Sequence, residues 1–326
     1  MNNRKRIEFW NELNKPSNEI DLMKFEKYIP KYLYRYRKVD SNSLSALLNN
    51  RLYFSTSNYY DDPFDTLFCI DKTKLKKEII AVLTNPNAQE EFNHFQEKTN
   101  IKYNFDIEYA LKNKDKIFKW IDDTIKDIQD NFKNGIYSIC FSESDLNQDL
   151  WLKYADNYAG FVIEYGVDSI RSSYNNTYTK DDTLINNCKN YLYPIVYNNK
   201  PFYANDLFKC IIYRVLKMDY LIKDWNRFLF DRRRVCLVKD KFHSNDKEWR
   251  LFVDNMPSYI NVVPKAVIIG LKTSDSDKAL LYEICRKNKI DLYQTYISDD
   301  YKLKKKCLIK NNNWYNYIWC ELNLKK

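Results

Sequence analysis

Leu52-Tyr53-Phe54-Ser55-Thr56-Ser57 reads as a β-strand that ends in a run of hydroxyls. Aromatic residues favour extended chain, and the turn Asp61-Asp62-Pro63-Phe64-Asp65 just beyond it stops the strand. Upstream, Ser41 or Ser43 caps a short helix whose Leu44, Leu47 and Leu48 share one apolar face. A basic strand, Leu33-Tyr34-Arg35-Tyr36-Arg37, comes before that helix, so the chain opens strand–helix–strand. Far downstream, Asp246-Lys247-Glu248-Trp249-Arg250 leads into another apolar strand. Side chains two apart on a strand point the same way, which predicts one shared face for Arg35 and Arg37 and another for Asp246 and Glu248.

Between these segments the periodicity changes. Ile117, Ile121, Ile125, Ile128 and Phe132 recur at helical spacing, and residues 75–134 read as a helical insertion broken once at Asn85-Pro86-Asn87 and closed by Gly135. Strands follow at Ile136–Phe141 and Gly160–Tyr165. A short helix at Asp168–Tyr174 leads to a polar, turn-rich loop at 175–182, then a strand at Tyr193–Tyr197. Residues 204–240 read as a second helical segment, interrupted near Lys223-Asp224. Strands at Trp249–Val253, Ala266–Leu271 and Leu292–Tyr296 complete the set, the last two flanking a helix at Asp277–Lys287. Strands interleaved with helices, some strands consecutive, give an α+β fold: one domain over 1–326 with a mixed sheet core and a helical insertion.

Composition narrows the chemistry. The chain has 326 residues, 44% of them hydrophobic, enough for a sizeable core. Its 4 glycines are far apart, which excludes a P-loop or a glycine-rich dinucleotide fingerprint, so a nucleotide site here must be built from side chains and ordinary backbone. A net charge of +9 favours an anionic ligand, a nucleotide or a nucleic acid, although lysine-rich composition also follows from an AT-rich genome. The 8 cysteines form no C-x-x-C and the histidines are only His94 and His243, so no structural metal is expected and the thiols read as free and largely buried. No apolar leader and no uninterrupted apolar span predict a soluble, cytoplasmic protein without a membrane partner.

Several motifs in order resemble the bacterial domain of unknown function 2971 family: Tyr34-Arg35-Tyr36-Arg37, Leu52-Tyr53-Phe54-Ser55 with Asp61-Asp62-Pro63-Phe64-Asp65, Cys140-Phe141-Ser142-Glu143, Leu150-Trp151-Leu152-Lys153-Tyr154-Ala155 with Gly160-Phe161, and Lys247-Glu248-Trp249-Arg250. The likeness spans most of residues 32–271. Three elements also resemble ADP-ribosyltransferases of the arginine–serine–glutamate type: Arg35 or Arg37 on a first strand, Ser55-Thr56-Ser57 on a later one, and Asp246-Lys247-Glu248 before a final one. The first acid departs from that pattern, being Asp rather than Glu or Gln, and the spacing demands large insertions. This resemblance implies an ADP-ribosyltransferase-like sheet and NAD as substrate. Arg35 or Arg37 would fork onto its phosphates, and Ser55, with Thr56 and Ser57, would support the ribose. Tyr53, Phe54 or Trp249 would stack on nicotinamide, Glu248 would stabilise the opening sugar, and Asp246 would orient or deprotonate the acceptor. An enzyme of this type in bacteria implies a toxin or an antiviral (phage-defence) effector.

Plainer readings stand beside these. Arg35 and Arg37 also suit the solvated face of a strand. Ser55–Ser57 also suit a strand end, Glu248 with Arg250 a modest surface ion pair, and Trp151, Tyr154 and Trp249 core packing. Two rival functions remain open at this level. A metal-dependent nuclease would gather Asp62, Asp65, Glu143, Asp246 and Glu248. A noncatalytic nucleic-acid-binding module would use the basic runs Arg232-Arg233-Arg234 and Lys302–Lys306.

Overall fold

The computed structural model describes residues 1–66, 68–99, 107–178, 192–200, 202–215, 218–253 and 259–310. Helix α1 (Asn3–Leu13) begins where the Asn2 side chain accepts the Lys5 amide, and it turns Arg6, Phe9, Glu12 and Leu13 inward. Strand β1 (Tyr32–Arg37) follows. Helix α2 (Ser41–Leu48) is capped by neither serine: the Asp40 carboxylate accepts the Ser43 amide at 2.7 Å. Asp40 is the last extended residue before the helix, so its oxygen reaches the orphan amide three residues on, whereas Ser41 and Ser43 already lie inside. The strand expected across Leu52–Ser55 is two pieces, β2 (Arg51–Tyr53) and β3 (Ser55–Thr56), which join different sheets.

The region read as a helical insertion holds α3 (Lys72–Leu83), α4 (Ala88–Thr99), α5 (Ile107–Lys112) and α6 (Lys114–Gly135). The α6 stripe of Ile121, Ile125 and Phe132 is buried, as its spacing requires. Then come β4 (Tyr137–Ser142), α7 (Gln148–Tyr154), β5 (Phe161–Gly166) and α8 (Val167–Tyr178). The helix expected at 168–174 therefore runs on to Tyr178; from residue 179 the expected loop lies outside the described residues. The strand expected at 193–197 is divided at Ile195 into β6 (Leu192–Pro194) and β7 (Val196–Tyr197). Helices α9 (Asn205–Val215) and α10 (Trp225–Arg234) flank the predicted break, but the segment 204–240 is not helical to its end, because β8 (Val238–Lys239) pairs with β7. The chain continues through β9 (Glu248–Val253), β10 (Tyr259–Asn261), β11 (Ala266–Ile269), α11 (Asp275–Asn288), β12 (Asp291–Ile297) and β13 (Leu303–Ile309).

Nine strands form one mixed sheet in the order β13-β12-β11-β5-β1-β4-β9-β6, with β3 also on β4. The β11–β12 pair is parallel and is joined by α11, while the neighbouring pairs are antiparallel. Strand β5 is buried almost throughout, as a central strand covered on both faces must be. One face packs Leu33, Ile163 and Leu251 against Leu47 of α2, Ile170 of α8 and Leu281 of α11. Another apolar cluster gathers Phe9 of α1, Leu75 of α3, Ile121 of α6 and Phe208 of α9 around Tyr193 and Phe252. A smaller cluster stacks Tyr36, Val162 and Ile268 on Leu150 and Trp151 of α7. Each such side chain removed from water contributes about 1.5–3 kcal/mol. The fold is thus α+β, as the sequence predicts.

Candidate functional site

The site begins with a fault in the sheet. Strand β1 is registered with β5 along its whole length, from Tyr32–Gly166 to Arg37–Phe161, and β4 is registered with β9 from Tyr137–Val253 to Ser142–Glu248. Between β1 and β4 the register holds at Tyr34–Ser142. Beyond that point the two strands diverge, and a cavity of about 300 Å³ opens between them. Its walls carry Arg35 and Arg37 of β1, Ser55 of β3, Cys140 of β4, and Asp246, Glu248 and Arg250 at the start of β9. The sequence could not place the arginines and the acid pair in one cleft; the structure does so by splitting the sheet.

The β1 wall is cationic, with only the Asp40 charge acting in favour of Arg37 among the acids that bear on the pair. Arg35 and Arg37 are half-buried, and among the described residues neither makes an ion pair or a side-chain hydrogen bond. The Arg35 guanidinium carbon lies 5.9 Å from the Phe141 ring centre. Burial, reinforced by repulsion from Arg37, pushes the Arg35 pKa down to about 9, and burial lowers Arg37 as well. Both stay charged at neutral pH. Guanidinium groups withdrawn from water are ordinarily paired; here the Asp40 charge acts on Arg37 from beyond ion-pair distance.

The β9 wall is the opposite case, a closed ion network. Glu248 Oε1 accepts from Arg250 Nε at 2.6 Å and its Oε2 from Lys239 Nζ at 2.9 Å. Asp65 takes the Arg250 fork at 2.8 and 2.5 Å and lies 3.2 Å from Lys239. Two acids balance two bases, and Arg250, 1% exposed, also donates to the Cys236 carbonyl. Asp65 is held in place by Thr66, a β-branched residue at a φ of 61° whose hydroxyl donates to Asp65 Oδ1. That backbone position is costly for threonine and survives only where its surroundings fix it. Burial pushes the Glu248 carboxyl up, but Arg250 and Lys239 outweigh it and hold the group well below the carboxylate range; Asp65 is lowered in the same way. The surface ion pair expected of Glu248 and Arg250 is therefore corrected: it is buried and part of a quartet.

Asp246 differs. Lys247 adopts a left-handed conformation (φ 46°) and β9 starts at Glu248, so the two acids do not alternate along one strand as predicted. They reach the same cavity because the left-handed residue reverses the turn before the strand. Burial pushes the Asp246 carboxyl up, only partly countered by Lys239, while the Glu248 charge adds to the rise. Neighbouring carboxyls with opposite shifts suit a division of labour, one permanently ionised and one able to exchange a proton. Tyr154 lines the same cavity, and its hydroxyl makes no hydrogen bond among the described residues.

Three predicted contacts do not reach the cavity. Tyr53 lies on the β2–β10 ribbon with its ring 5.5 Å from that of Tyr259. Thr56 is buried opposite Tyr137. Ser57 begins a tight turn and donates to the Lys133 carbonyl at 3.2 Å. The break after Tyr53 and the turn at Ser57 leave Ser55 alone of the hydroxyl run at the wall. Trp249 and Phe54 are core residues rather than stackers; the Trp249 indole donates to Glu143 at 2.6 Å.

The rival residue sets are committed elsewhere. Of the five carboxylates proposed to hold a metal, Asp65 and Glu248 sit in the quartet and Glu143 is bound by Arg6 at 2.6 Å; the described residues contain no group of three or more metal-ligating side chains. In the basic run, Arg233 and Arg234 are buried, and Arg234 pairs with Asp231 at 2.6 Å and lies over the Trp10 ring. Lys302, Lys304 and Lys305 pair with Asp300, Asp300 and Asp145 at the sheet edge. The described cysteines are free thiols; Cys188 and Cys320 lie outside the described residues. Among the described residues no helix is long and apolar enough to cross a membrane.

Sequence reasoning named Asp65 only as a metal ligand of the rival nuclease and missed Lys239, His243 and Arg250 as site residues. Of these three, Arg250 alone carried a signal, standing two residues after Glu248. Compared with family models, curated proteins and solved structures, the chain matches none. Both resemblances read from the sequence therefore rest on the quoted motifs.

Proposed function

We propose that the protein is an ADP-ribosyltransferase-like enzyme that takes NAD into the cavity between β1 and β4. One observation carries this reading: two guanidiniums that make no ion pair among the described residues open on the same 300 Å³ space as Glu248, held ionised by Arg250 and Lys239, and Asp246, whose carboxyl is pushed up by burial. The volume is at the lower end for small-molecule sites and suits the nicotinamide ribose and pyrophosphate, with the adenosine end outside. Arg35 and Arg37 take the phosphates. Glu248, locked by Arg250 and Lys239, keeps spare acceptor capacity for a ribose hydroxyl and stabilises positive charge growing on the sugar. The C1′–N bond breaks with its electron pair going to nicotinamide. The acceptor bonds to C1′ and its proton passes to Asp246.

The nuclease reading is weakened because three of its five carboxylates, Asp65, Glu143 and Glu248, are held by arginine or lysine, and the binding-module reading because Arg233 and Arg234 are buried. The test is nicotinamide release from NAD by the full chain. Asp246→Asn and Glu248→Gln are each expected to lower it at least 100-fold, the Asn variant without loss of folded protein. An unchanged rate in both variants, or no release by the wild type, contradicts the assignment. In a bacterial host, toxicity on expression that Glu248→Gln relieves would place the enzyme among toxins or antiviral effectors; a harmless wild type speaks against that role.

A further inference from the structure

At the cavity rim, His243 lies between two carboxylates that come from distant parts of the chain. Its Nε2 is 3.2 Å from Asp62 Oδ2 and its Nδ1 is 3.4 Å from Asp246 Oδ2. Asp62 belongs to the turn after β3, where its other oxygen accepts the Phe64 amide at 2.9 Å. His243 and Asp246 belong to the short helical turn Lys241–Asp246 that feeds β9. Both carboxylates line the cavity. The imidazole thus spans the two segments that frame the opening. The side chains of all three residues are mostly covered, 12–19% exposed, which keeps bulk water from screening the contact. From the remaining elements, Lys239 of β8, Lys153 of α7 and Glu248 of β9 act on Asp246, and the Phe242 ring meets the imidazole edge to face at 5.5 Å.

We propose that His243 is the positioning residue for Asp246, holding it toward the cavity by a bridge to Asp62 that is complete only when the imidazole carries its second proton. The donor inventory dictates this. A neutral imidazole has one N–H and can donate to one carboxylate; an imidazolium donates to both. Loss of one of those protons leaves one carboxylate without its donor, so the bridge depends on the charge of the imidazole. With the bridge closed, Asp246 is aimed and its charge offset. With it open, Asp246 is no longer aimed at the cavity, and the segment carrying Asp62 loses its tie to the β9 side. The idea rests on the NAD reading for its catalytic consequence, but the bridge can be tested without it.

The chain has two histidines, so the ring signal of His243 is identified by its loss in His243→Gln. Its titration is followed by NMR in the wild type, in Asp62→Asn and in Asp246→Asn. Each Asn variant is expected to move the His243 midpoint by about 0.5 pH unit or more, and the two together by more than either alone. Midpoints equal to the wild type would overturn the bridge, whatever the protein does to NAD. In parallel, nicotinamide release is measured from pH 5 to 9 for the wild type and His243→Gln, whose amide keeps hydrogen-bonding capacity but does not titrate. The expected result is loss of the limb between about pH 5 and 8 with KM for NAD changed less than 3-fold. Superimposable pH profiles would overturn the positioning role. A wild type that releases no nicotinamide while the midpoints still shift defeats the NAD reading and leaves the bridge standing.

Discussion

Asp246 and Glu248 are two residues apart in sequence and share a cavity, yet they behave as different reagents. Glu248 is held by Arg250 and Lys239 on both oxygens, whereas among the described residues the Asp246 carboxylate has an ionisable partner within 4 Å only in His243. The difference comes from what each group faces, since both are withdrawn from water. Removing one member of a buried ion network leaves its partners uncompensated and typically costs about 3–5 kcal/mol. Asp65→Asn, which breaks the bidentate Arg250 fork, is therefore expected to lower the unfolding free energy by about 3 kcal/mol or more in denaturant titration. A change below about 1 kcal/mol would mean that the quartet is not a structural unit. Arg35 and Arg37 are the reverse, because no acid is orphaned by their loss. Their substitution is expected to leave stability unchanged or slightly higher and to act on ligand binding.

The divergence of β1 from β4 makes the site, and Gly160 fixes how β1 ends. A Cβ on Gly160 would stand 2.1 Å from the Arg37 carbonyl oxygen and 2.9 Å from the Ala155 backbone. Neither neighbour is a flexible side chain, so Gly160→Ala must push the backbone apart next to Arg37. It is expected to lower the melting temperature by several degrees and to weaken anion binding together with it; an unperturbed melting curve would contradict the packing at this crossing. Much of this level was legible in the chain. The helical stripe of α6 and the strand before Val253 follow from residue spacing, whereas the burial of β1 falls on Leu33 and Tyr36 and does not alternate. The division of β2 from β3 was not, because Tyr53-Phe54-Ser55 looks extended either way and only the distant partners β10 and β4 decide the sheets. The same holds for the cavity: spacing could pair Arg35 with Arg37, but the single register contact of Tyr34 with Ser142 is a tertiary fact. Local reading also mistook the Arg233 and Arg234 run for surface, since charge next to charge gives no hint of the Trp10 and Phe202 rings that cover Arg234.

At the level of the whole molecule, the buried quartet ties folding to pH. The folded pKa values of Asp65 and Glu248 lie below their ordinary values. As the pH falls, the unfolded chain takes up protons at these groups first, near pH 4, while the folded chain does not. Their contribution is thus fully present above about pH 5 and is lost progressively as the pH drops through the folded values. Unfolding free energy is expected to fall steeply below about pH 4 in the wild type and less steeply in Asp65→Asn; equal slopes would show that the quartet does not govern acid stability. The net charge of +9 acts in the same direction, because protonating further carboxylates adds self-repulsion to an already cationic chain.

The proposed function turns on Arg35 and Arg37 of β1 seating the phosphates of its ligand. Calorimetric titration of the full chain with ADP-ribose, which keeps the pyrophosphate and lacks the reacting bond, measures it directly. The account predicts saturable binding by the wild type, weakened at least 30-fold in the Arg35→Ala, Arg37→Ala double variant at unchanged melting temperature. Equal affinity in the two proteins, or no binding by the wild type, would contradict it.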